Sequence, residues 1–447
     1  MSPAGPAVAH RYLPLSDEDR AEMLGAIGVA SQEDLFASVP AALRTELDLP
    51  GGMSELELTR HVGALARRNQ DLTQWHSFLG AGAYSRFIPA AVLQVIGRPE
   101  FFTAYTPYQA EASQGWLQTI FEFQSLVAEL TGLDYANASM YEAATALAEA
   151  AMMAVAHTGR RRVTIAGTVH PEYRKVVEAY AAGRGIPVDV VSTGAVPDAG
   201  ALDGSAALLF QQPNFFGQVE DAAALCATAH EAGALAVVAA DPISLALLQP
   251  PGEYGADIAV GECQQLGVPL WYGGPYCGYL AASAPLLRRL PGRLVGETVD
   301  HEGRRGFVLT LQAREQHIRR ESATSNICTN QALIALAATA YMAVMGAHGL
   351  RRVAELSVQR AHDLAARVVA KPGYSLAFDG PFLWEFTVRC DRPAAEVLDT
   401  MRERGVLGGV DLGAVPTMNE PMPDCLLVAV TEMNSPESLD AFIEALP

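Results

Sequence analysis

The sequence predicts an α/β protein with a mostly parallel sheet in a large domain, followed by a small α/β domain. Between about residues 76 and 330, short runs of valine, isoleucine, leucine and alanine alternate with helical patterns. Such apolar strands joined by helices are typical of a parallel sheet covered on both faces. A long helical pattern then runs from Asn330 to about Ala370. The predicted domains are an N-terminal helical arm (1–75), a large domain (76–330), and a bridging helix with a small C-terminal domain (331–447).

The individual elements follow from apolar periodicity and from the residues that start helices. In the arm, Ser16, Ser31 and Ser54 each begin a helical stretch with acids in the first turn, where they favour the helix dipole. The large domain has two clear helices, from about Pro171 to Ala182 and over DAAALCATAHEAG. Its predicted strands are RVTIAG (162–167), PVDVVS (187–192), AALLFQ (206–211), ALAVVAAD (234–241) and ADIAV (256–260).

Composition excludes several classes of protein. The formal net charge of -19 makes a nucleic-acid partner improbable, because phosphate contacts need clustered lysine and arginine. The six cysteines are widely spaced without a CxxC pair, so neither a zinc site nor a disulfide framework is expected. The N-terminus resembles neither a secretory signal nor a transit peptide, and no uninterrupted run of 18 apolar residues predicts a membrane span. We expect a cytoplasmic protein.

Two features stand out beyond the strand ends, where ligands bind in such sheets. One is a carboxylate that follows a strand, and the other is the absence of a lysine from a loop. Asp241 ends the strand ALAVVAAD. It could hold a pyridinium nitrogen protonated, or it could simply cap the turn at Pro242. The loop after ADIAV, which reads GECQQLGVPLWYGGPYCG, contains no lysine. The whole chain has only two lysines, Lys175 on a predicted helix and Lys371 beside a Pro-Gly turn, and both suit the surface.

The segment LDYANASMYEAATALAEA predicts a loop that leads into a helix, where an anion could bind the free N–H groups. Ser139 with Glu142 three residues later fits a capping box. Met140 and Tyr141 add bulk where a phosphate needs small residues, and Glu142 adds a competing carboxylate. We expect this helix end to resist phosphate.

Three polar loops are candidates for a binding site, namely residues 78–92, 101–124 and 321–336. In the third loop, Thr329 or Asn330 could cap the long helix and leave backbone N–H groups for an anion. Hydroxyl, amide and carboxylate groups in the second loop suit a small zwitterion, although a hydrogen-bonded corner explains them equally well. These residues are Tyr105, Thr106, Tyr108, Gln109, Glu111, Ser113 and Gln114.

The chain resembles the P-protein family of the glycine cleavage system, in particular subunit 1 of its two-subunit prokaryotic form. The resemblance covers nearly the whole chain. It rests on RYLPLSDEDRAEML, FLGAGAYSRFIP, AYTPYQAEASQG, ANASMYEAATALAEA, DIAVGECQQLGVPLWYGGPYCGYLA, GRRGFVLTLQAREQHIRR and SNICTNQAL.

This resemblance implies an aspartate aminotransferase-like fold that depends on pyridoxal phosphate (PLP, fold type I) and an assembly of two subunits 1 with two subunits 2. Subunit 2 would bind PLP through its lysine, and counting back from Pro269 places Gln264 near the equivalent position here. On that PLP glycine would lose CO2, and its aminomethyl group would pass to the lipoyl arm of the H-protein. No residue of this chain would then be directly catalytic.

The resemblance also suggests roles for particular residues. Tyr84 and the loop from Tyr105 to Gln114 would face the shared site, while Asn326 and Thr329 would reach the partner-bound phosphate. The family usually has histidine where this chain has Arg86, so a role of that histidine cannot be transferred. Two alternatives are a scaffold subunit that only stabilises its partner and a stand-alone PLP enzyme that uses Lys175. Cys328, close to the predicted interface, is a candidate redox switch.

Overall fold

The computed structural model describes residues 14–45, 51–102, 104–192 and 197–447. The chain divides into two units, Met1–Asn69 and Gln70–Pro447. The first unit contains helices α1 (Asp17–Ile27) and α2 (Glu55–Ala66), with short 3-10 helices at Gln32–Phe36 and Ala41–Leu43.

Reciprocal capping boxes start three of the helices in the first unit. The Ser16 hydroxyl accepts the Asp19 N–H at 3.1 Å, and the Asp19 carboxylate accepts the Ser16 N–H at 2.7 Å. Ser31 with Asp34 and Ser54 with Glu57 form the same arrangement. Each box satisfies N–H groups that the first helical turn leaves free. The three predicted starts are confirmed, although the helix after Ser31 is a 3-10 helix rather than an α-helix.

A seven-stranded sheet organises the second unit, in the order β2-β8-β7-β6-β5-β3-β4. Neighbouring strands are parallel from β7 to β4, whereas β8 runs antiparallel to both β7 and β2. The mostly parallel sheet and all five predicted strands are thus confirmed. The first eight strands are β1 (His76–Ser77), β2 (Tyr135–Ala136), β3 (Val163–Ala166), β4 (Val188–Val191), β5 (Ala207–Gln212), β6 (Leu235–Ala240), β7 (Ile258–Glu262) and β8 (Gly278–Ala282).

Helices cover this sheet, and α6 is the most deeply buried of them. Its residues from Ala143 to Ala154 are mostly alanine, and all but Thr145 are buried, so the helix lies close to the strands. Helix α7 begins at Pro171 and ends at Ala182, as predicted. The helices up to the strand β8 are α3 (Ala90–Ile96), α4 (Pro99–Phe102), α5 (Gln114–Thr131), α6 (Ala143–Thr158), α7 (Pro171–Ala182) and α8 (Ala222–Glu231), with a 3-10 turn at Ser244–Ala246.

The remaining elements form a hairpin, a connecting segment and a four-stranded antiparallel sheet of order β11-β12-β15-β14. Strand β9 pairs with β10, and β1 pairs with β13. The strands are β9 (Val295–Val299), β10 (Arg305–Leu309), β11 (Tyr374–Leu376), β12 (Glu385–Cys390), β13 (Val406–Leu407), β14 (Val410–Asp411) and β15 (Cys425–Ala429). The helices are α9 (Gln316–Arg319), α10 (Ala332–Val369), α11 (Ala394–Glu403) and α12 (Pro436–Ala445), with 3-10 turns at Ala284–Arg289, Gln312–Arg314 and Arg320–Ser322.

The long helix α10 follows the predicted bounds closely and bends at Gly346, whose φ of 60° and ψ of -179° are not helical. It is long and apolar enough to cross a membrane by length and composition alone, but half of its most apolar window is buried inside the chain. A core helix passes the same test, so α10 is weak evidence for a membrane span. Polar and small residues interrupt its apolar stretch, so the sequence of this helix contains no uninterrupted apolar run long enough to predict a membrane span.

Candidate functional site

A small buried cavity lies at the carboxyl ends of β5, β6 and β7, where ligands bind in this type of sheet. Its lining includes Tyr84, Tyr173, Asp241, Gln265 and Glu385. The cavity volume is about 50 Å³. Because one water needs roughly 10–15 Å³ of this kind of space, the cavity holds a few water molecules and no more.

Asp241 follows β6 directly and caps the turn after it, as one of its two predicted roles requires. One carboxylate oxygen caps the turn, accepting the N–H groups of Ile243 at 2.9 Å and Ser244 at 3.0 Å. The other oxygen accepts a hydrogen bond from the side-chain amide of Gln265. Burial raises the pKa of Asp241, while the charge of Arg86 opposes this shift. The carboxylate that could hold a pyridinium nitrogen is therefore already hydrogen-bonded within the chain.

Arg86 is buried behind the cavity and connects three segments of the chain. Its guanidinium donates to the Gln265 side-chain oxygen at 2.8 and 3.0 Å and to the Ser357 hydroxyl at 2.7 Å. It also forms an ion pair with Glu432 at 2.7 Å and lies 4.7 Å above the centre of the Trp384 ring. A guanidinium with these partners positions Gln265 against Asp241 and does not itself line the cavity.

The two adjacent glutamines have different roles. Gln264, the predicted equivalent of the lysine, accepts the Tyr84 N–H at 2.8 Å and donates to the carbonyls of Tyr84 and Val268, both at 2.9 Å. Its amide is therefore occupied by backbone groups. Gln265, one residue later, is the side chain that enters the cavity and reaches Asp241. Of the two glutamines, Gln265 is therefore the one that lines the cavity.

The first turn of α6 is satisfied by two carboxylates of the chain itself. Glu142 is the N-cap and accepts the Thr145 N–H at 3.0 Å. Glu262, the last residue of β7, accepts the N–H groups of Ala143 and Gln264 at 3.1 Å and of Cys277 at 3.2 Å. Burial nevertheless raises the pKa of Glu262 to about 8. These carboxylates occupy the helix end at which a phosphate would be held.

The capping box that we predicted for Ser139 and Glu142 is wrong. Ser139 has φ 151° and lies outside the helix, and its hydroxyl accepts the Gln331 N–H at 3.2 Å and the Asn330 amide at 3.0 Å. Sequence reasoning also missed Glu262. The sequence indicates this residue by a single acidic side chain at the end of a buried strand, because a buried carboxylate needs hydrogen-bond donors around it.

A pair of stacked rings forms another part of the cavity region. The rings of His170 and Tyr173 lie 4.6 Å apart and 17° from parallel. The Nδ1 atom of His170 accepts the Glu172 N–H at 3.1 Å, so its Nε2–H donates to the Ala81 carbonyl at 3.0 Å. Burial lowers the pKa of His170. The ring is therefore neutral near pH 7 and stacks on a tyrosine that lines the cavity.

PLP does not fit the cavity of this chain. Its volume allows only a few waters, and the carboxylates of Glu142 and Glu262 take the helix N–H groups. Neither lysine lines it. Lys175 is exposed and pairs with Glu178 at 2.8 Å, while Lys371 donates to the carbonyls of Ile443 and Leu446. No chemical step on this chain can therefore use a cofactor bound in this cavity.

The chain matches the family model described as "Glycine cleavage system P-protein" over residues 10–446. The chain belongs to the P-protein family. A curated relative from Geobacillus kaustophilus (strain HTA426), named "Probable glycine dehydrogenase (decarboxylating) subunit 1", is 51% identical over 446 residues, which is 98% of each chain.

Solved structures agree with this assignment. A crystal structure of glycine decarboxylase (P-protein) of the glycine cleavage system, in inhibitor-bound form, has a TM-score of 0.90 and 45% identity, covering 97% of this chain and 98% of the other. An aspartate aminotransferase from Thermus thermophilus has a TM-score of 0.54 at 15% identity, covering 83% and 97%. That likeness concerns the fold alone, and it confirms the predicted aspartate aminotransferase-like fold of PLP enzymes (fold type I).

In this P-protein family member, a second polar cluster lies around Tyr108, apart from the Asp241 cavity lining. The Tyr108 hydroxyl donates to the Asn330 side-chain oxygen at 2.5 Å, and the Asn330 amide donates to the Ser139 hydroxyl at 3.0 Å. The guanidinium of Arg293 lies 5.0 Å from the centre of the Tyr108 ring. Burial raises the pKa of Tyr108. The predicted second and third loops thus meet at this cluster.

The other predicted site residues are divided between exposed positions and structural roles. Tyr105 is 87% exposed, and Thr106, Gln109 and Glu111 are exposed as well. Ser113 precedes α5 without a side-chain capping bond. Gln114, in contrast, pairs its amide with both backbone groups of Phe307, at 2.8 and 2.9 Å, so its role is structural.

Three predicted residues remain, Tyr84, Asn326 and Thr329. Tyr84 is buried beside the Asp241 cavity, and its hydroxyl donates to Glu385 at 2.7 Å, which places it apart from the exposed loop. Asn326 and Thr329 are exposed. The prediction that Thr329 or Asn330 caps α10 is wrong, because Gln331 is the N-cap and no side chain bonds there.

Proposed function

We propose that this chain is the subunit without a PLP lysine of a two-subunit glycine decarboxylase and that it completes a site whose PLP is held by a second chain. One observation carries the proposal: in the cavity beside Asp241 the chain's own Gln265 bonds that carboxylate, and Glu262 accepts a backbone N–H from the first turn of α6, where a phosphate would be expected. The relatives' designation as subunit 1 supports a separate second subunit. The proposed assembly contains two copies of each, in the cytoplasm, and serves the lipoylated H-protein.

PLP held by the partner would supply an electron sink for the carbanion left when glycine loses CO2. This chain would supply orientation. Tyr108 remains protonated near neutral pH because burial raises its pKa. Its proton is held on the Asn330 oxygen, and Asn330 is fixed in turn by Ser139. This chain of hydrogen bonds holds the two loops together, so that the exposed groups between Tyr105 and Glu111 can face glycine on the partner.

We also assign Asn326 and Thr329 to the partner-bound phosphate. Both are exposed, and Asn326 borders an open cavity of about 520 Å³ together with Tyr141 and Arg184. An amide and a hydroxyl are suitable donors to phosphate oxygens. The Thr329 hydroxyl makes a long 3.4 Å contact with the adjacent carbonyl and also interacts with the Tyr108 hydroxyl.

Exchange of bicarbonate into the carboxyl group of glycine tests the main proposal. We expect no exchange with this chain alone or with the second subunit alone, and exchange when the two are mixed. Exchange by this chain alone, abolished by Lys175→Arg, would establish the stand-alone enzyme instead. Because Lys175 pairs with Glu178 on the surface of α7, we expect Lys175→Arg to change nothing.

The scaffold alternative is tested in the assembled enzyme. Tyr108→Phe and Thr329→Ala should lower exchange at least about tenfold, since each removes a hydrogen-bonding group from a charged or reacting site. Tyr272→Phe is the matched control, because Tyr272 is 93% exposed and does not line the proposed site. If both test variants assemble normally and exchange at the control rate, the chain only stabilises its partner.

A further inference from the structure

Four arginines line one open cleft of the second unit. The cleft has a volume of about 300 Å³ and is lined by Arg288, Arg289, Arg314 and Arg319, with the hydroxyl-bearing residues Ser322 and Thr324 at its border. We call these six residues the arginine cleft. Within the described part of the chain no aspartate or glutamate lines it, although the whole chain has a formal charge of -19. The cleft is therefore a concentration of positive charge on an acidic protein.

Three separate short segments bring the guanidinium groups together. Arg288 and Arg289 end the 3-10 turn Ala284–Arg289 and are exposed, and within the described ranges neither has a hydrogen bond or an ion pair. Arg319 ends α9, and its Nε–H donates to the Ala313 carbonyl at 3.1 Å. These three side chains have donors free to meet a ligand.

Arg314 forms the fixed part of the cleft. Its two terminal nitrogens donate to the carbonyls of Leu290 and, at 2.8 Å, Gly292. These bonds tie the turn that carries Arg288 and Arg289 to the segment before α9. Its Nε–H is buried and, among the described residues, has no partner. Burial lowers the pKa of Arg314, which still leaves the guanidinium charged.

The nearest carboxylates compensate this charge only in part. Glu315 is buried, pairs with Arg293 and also acts on Arg314 through its charge, while Glu321 is exposed and does not line the cleft. Two other arginines do pair with acids, the exposed Arg305 with Glu297 at 2.7 Å and the half-buried Arg367 with Asp440 at 2.7 Å. Four like charges around one concavity repel each other, and a multivalent anion between them would relieve that repulsion.

We propose that the arginine cleft binds a small phosphorylated molecule through its phosphate oxygens. Planar guanidinium groups match phosphate geometry with two parallel hydrogen bonds, and the hydroxyl of Thr324 can donate to a further oxygen, whereas that of Ser322 donates to the Arg319 carbonyl at 2.7 Å. A concave site of about 300 Å³ has the size of a small-molecule site rather than of a protein docking face. The site is separate from the Asp241 cavity and does not depend on the proposed function.

Calorimetric titration of the purified chain with inorganic pyrophosphate tests this site directly. We expect saturable binding to one site per chain. The double variant Arg288→Gln/Arg289→Gln should weaken binding roughly 10- to 100-fold, because two charge-assisted contacts are lost. Arg319→Gln removes one guanidinium group instead of two and should weaken pyrophosphate binding less. Arg352→Gln is the matched control, since Arg352 is an exposed arginine on α10 that does not line the cleft.

The outcomes separate the alternatives. Absence of saturable pyrophosphate binding, or equal affinity in the wild type and in both cleft variants, overturns the proposal. Tighter binding of hexaglutamate than of pyrophosphate also overturns it, because the cleft would then recognise an acidic protein segment. Melting curves show whether the variants are folded, and pyrophosphate should raise the melting temperature of the wild type but not of the folded double variant.

Discussion

Replacing Arg86 by methionine should destabilise the second unit strongly. The Arg86 side chain is 1% exposed and that of its ion-pair partner Glu432 is 6% exposed. Removing one partner leaves a buried carboxylate unpaired, which costs about 3–5 kcal/mol. With an unfolding entropy of about 2.1 cal/mol/K per residue over about 380 residues, this loss corresponds to a melting temperature lower by about 4–6 °C. Methionine keeps an unbranched apolar stem but ends short of the guanidinium position, so the change removes the charge and its hydrogen bonds.

A double-mutant cycle shows whether the ion pair is responsible. Arg86→Met, Glu432→Gln and the double variant are compared with the wild type by calorimetry and by urea unfolding. We expect a coupling energy of about 2 kcal/mol or more, so that the double variant is more stable than the sum of the single effects predicts. Additive effects, or an Arg86→Met melting point within about 1 °C of the wild type, would refute the reasoning.

Three further predictions concern the buried carboxyl group of Glu262, the thiol of Cys328 and the hydrogen bonds between Gln114 and the Phe307 backbone. Because burial raises the pKa of Glu262 to about 8, the folded chain binds a proton that the unfolded chain has lost, so the free energy of unfolding should fall from pH 5 to pH 8. Glu262→Gln should flatten that slope in urea titrations, and a rise with pH in the wild type contradicts the assignment. Cys328 is exposed while the other five cysteines are buried, so thiol titration should find one reactive group in the native chain, lost in Cys328→Ser. Gln114→Ala should lower the free energy of unfolding by about 1–2 kcal/mol in denaturant titrations, because Gln114 pairs with the Phe307 backbone. Gln118→Ala, which removes no such pair, should change it very little. Equal losses in the two variants would show that the Gln114–Phe307 pair does not stabilise the fold.

Regular elements with strong apolar patterns could be predicted from the sequence. The strands β3 to β7 are buried runs of small and branched apolar residues, and their positions were found within two residues at either end. The start of helix α7 could be predicted because Pro171 suits the first turn of a helix. The α6 start was misplaced, since a Ser-x-x-Glu pattern does not reveal that Glu142 itself would cap the helix.

The candidate site was harder to predict because its key contacts join residues far apart in the chain. Arg86 bonds Gln265 and Glu432, which are distant in sequence, and no local pattern relates them. The missing lysine and the competing acid near α6 could be read directly, since each is a property of one segment. Which of two adjacent glutamines enters the cavity depends on how the loop after β7 turns, and sequence periodicity ends at that loop.

The ring stack of His170 and Tyr173, together with Glu262 hydrogen-bonded to the first turn of α6, fills this part of the interior with the chain's own side chains. Under the proposed function, in which the second chain holds PLP, folding of this polypeptide would not require vitamin B6. A cell short of the vitamin would still accumulate this polypeptide in native form, ready to combine with a partner as soon as that partner is loaded.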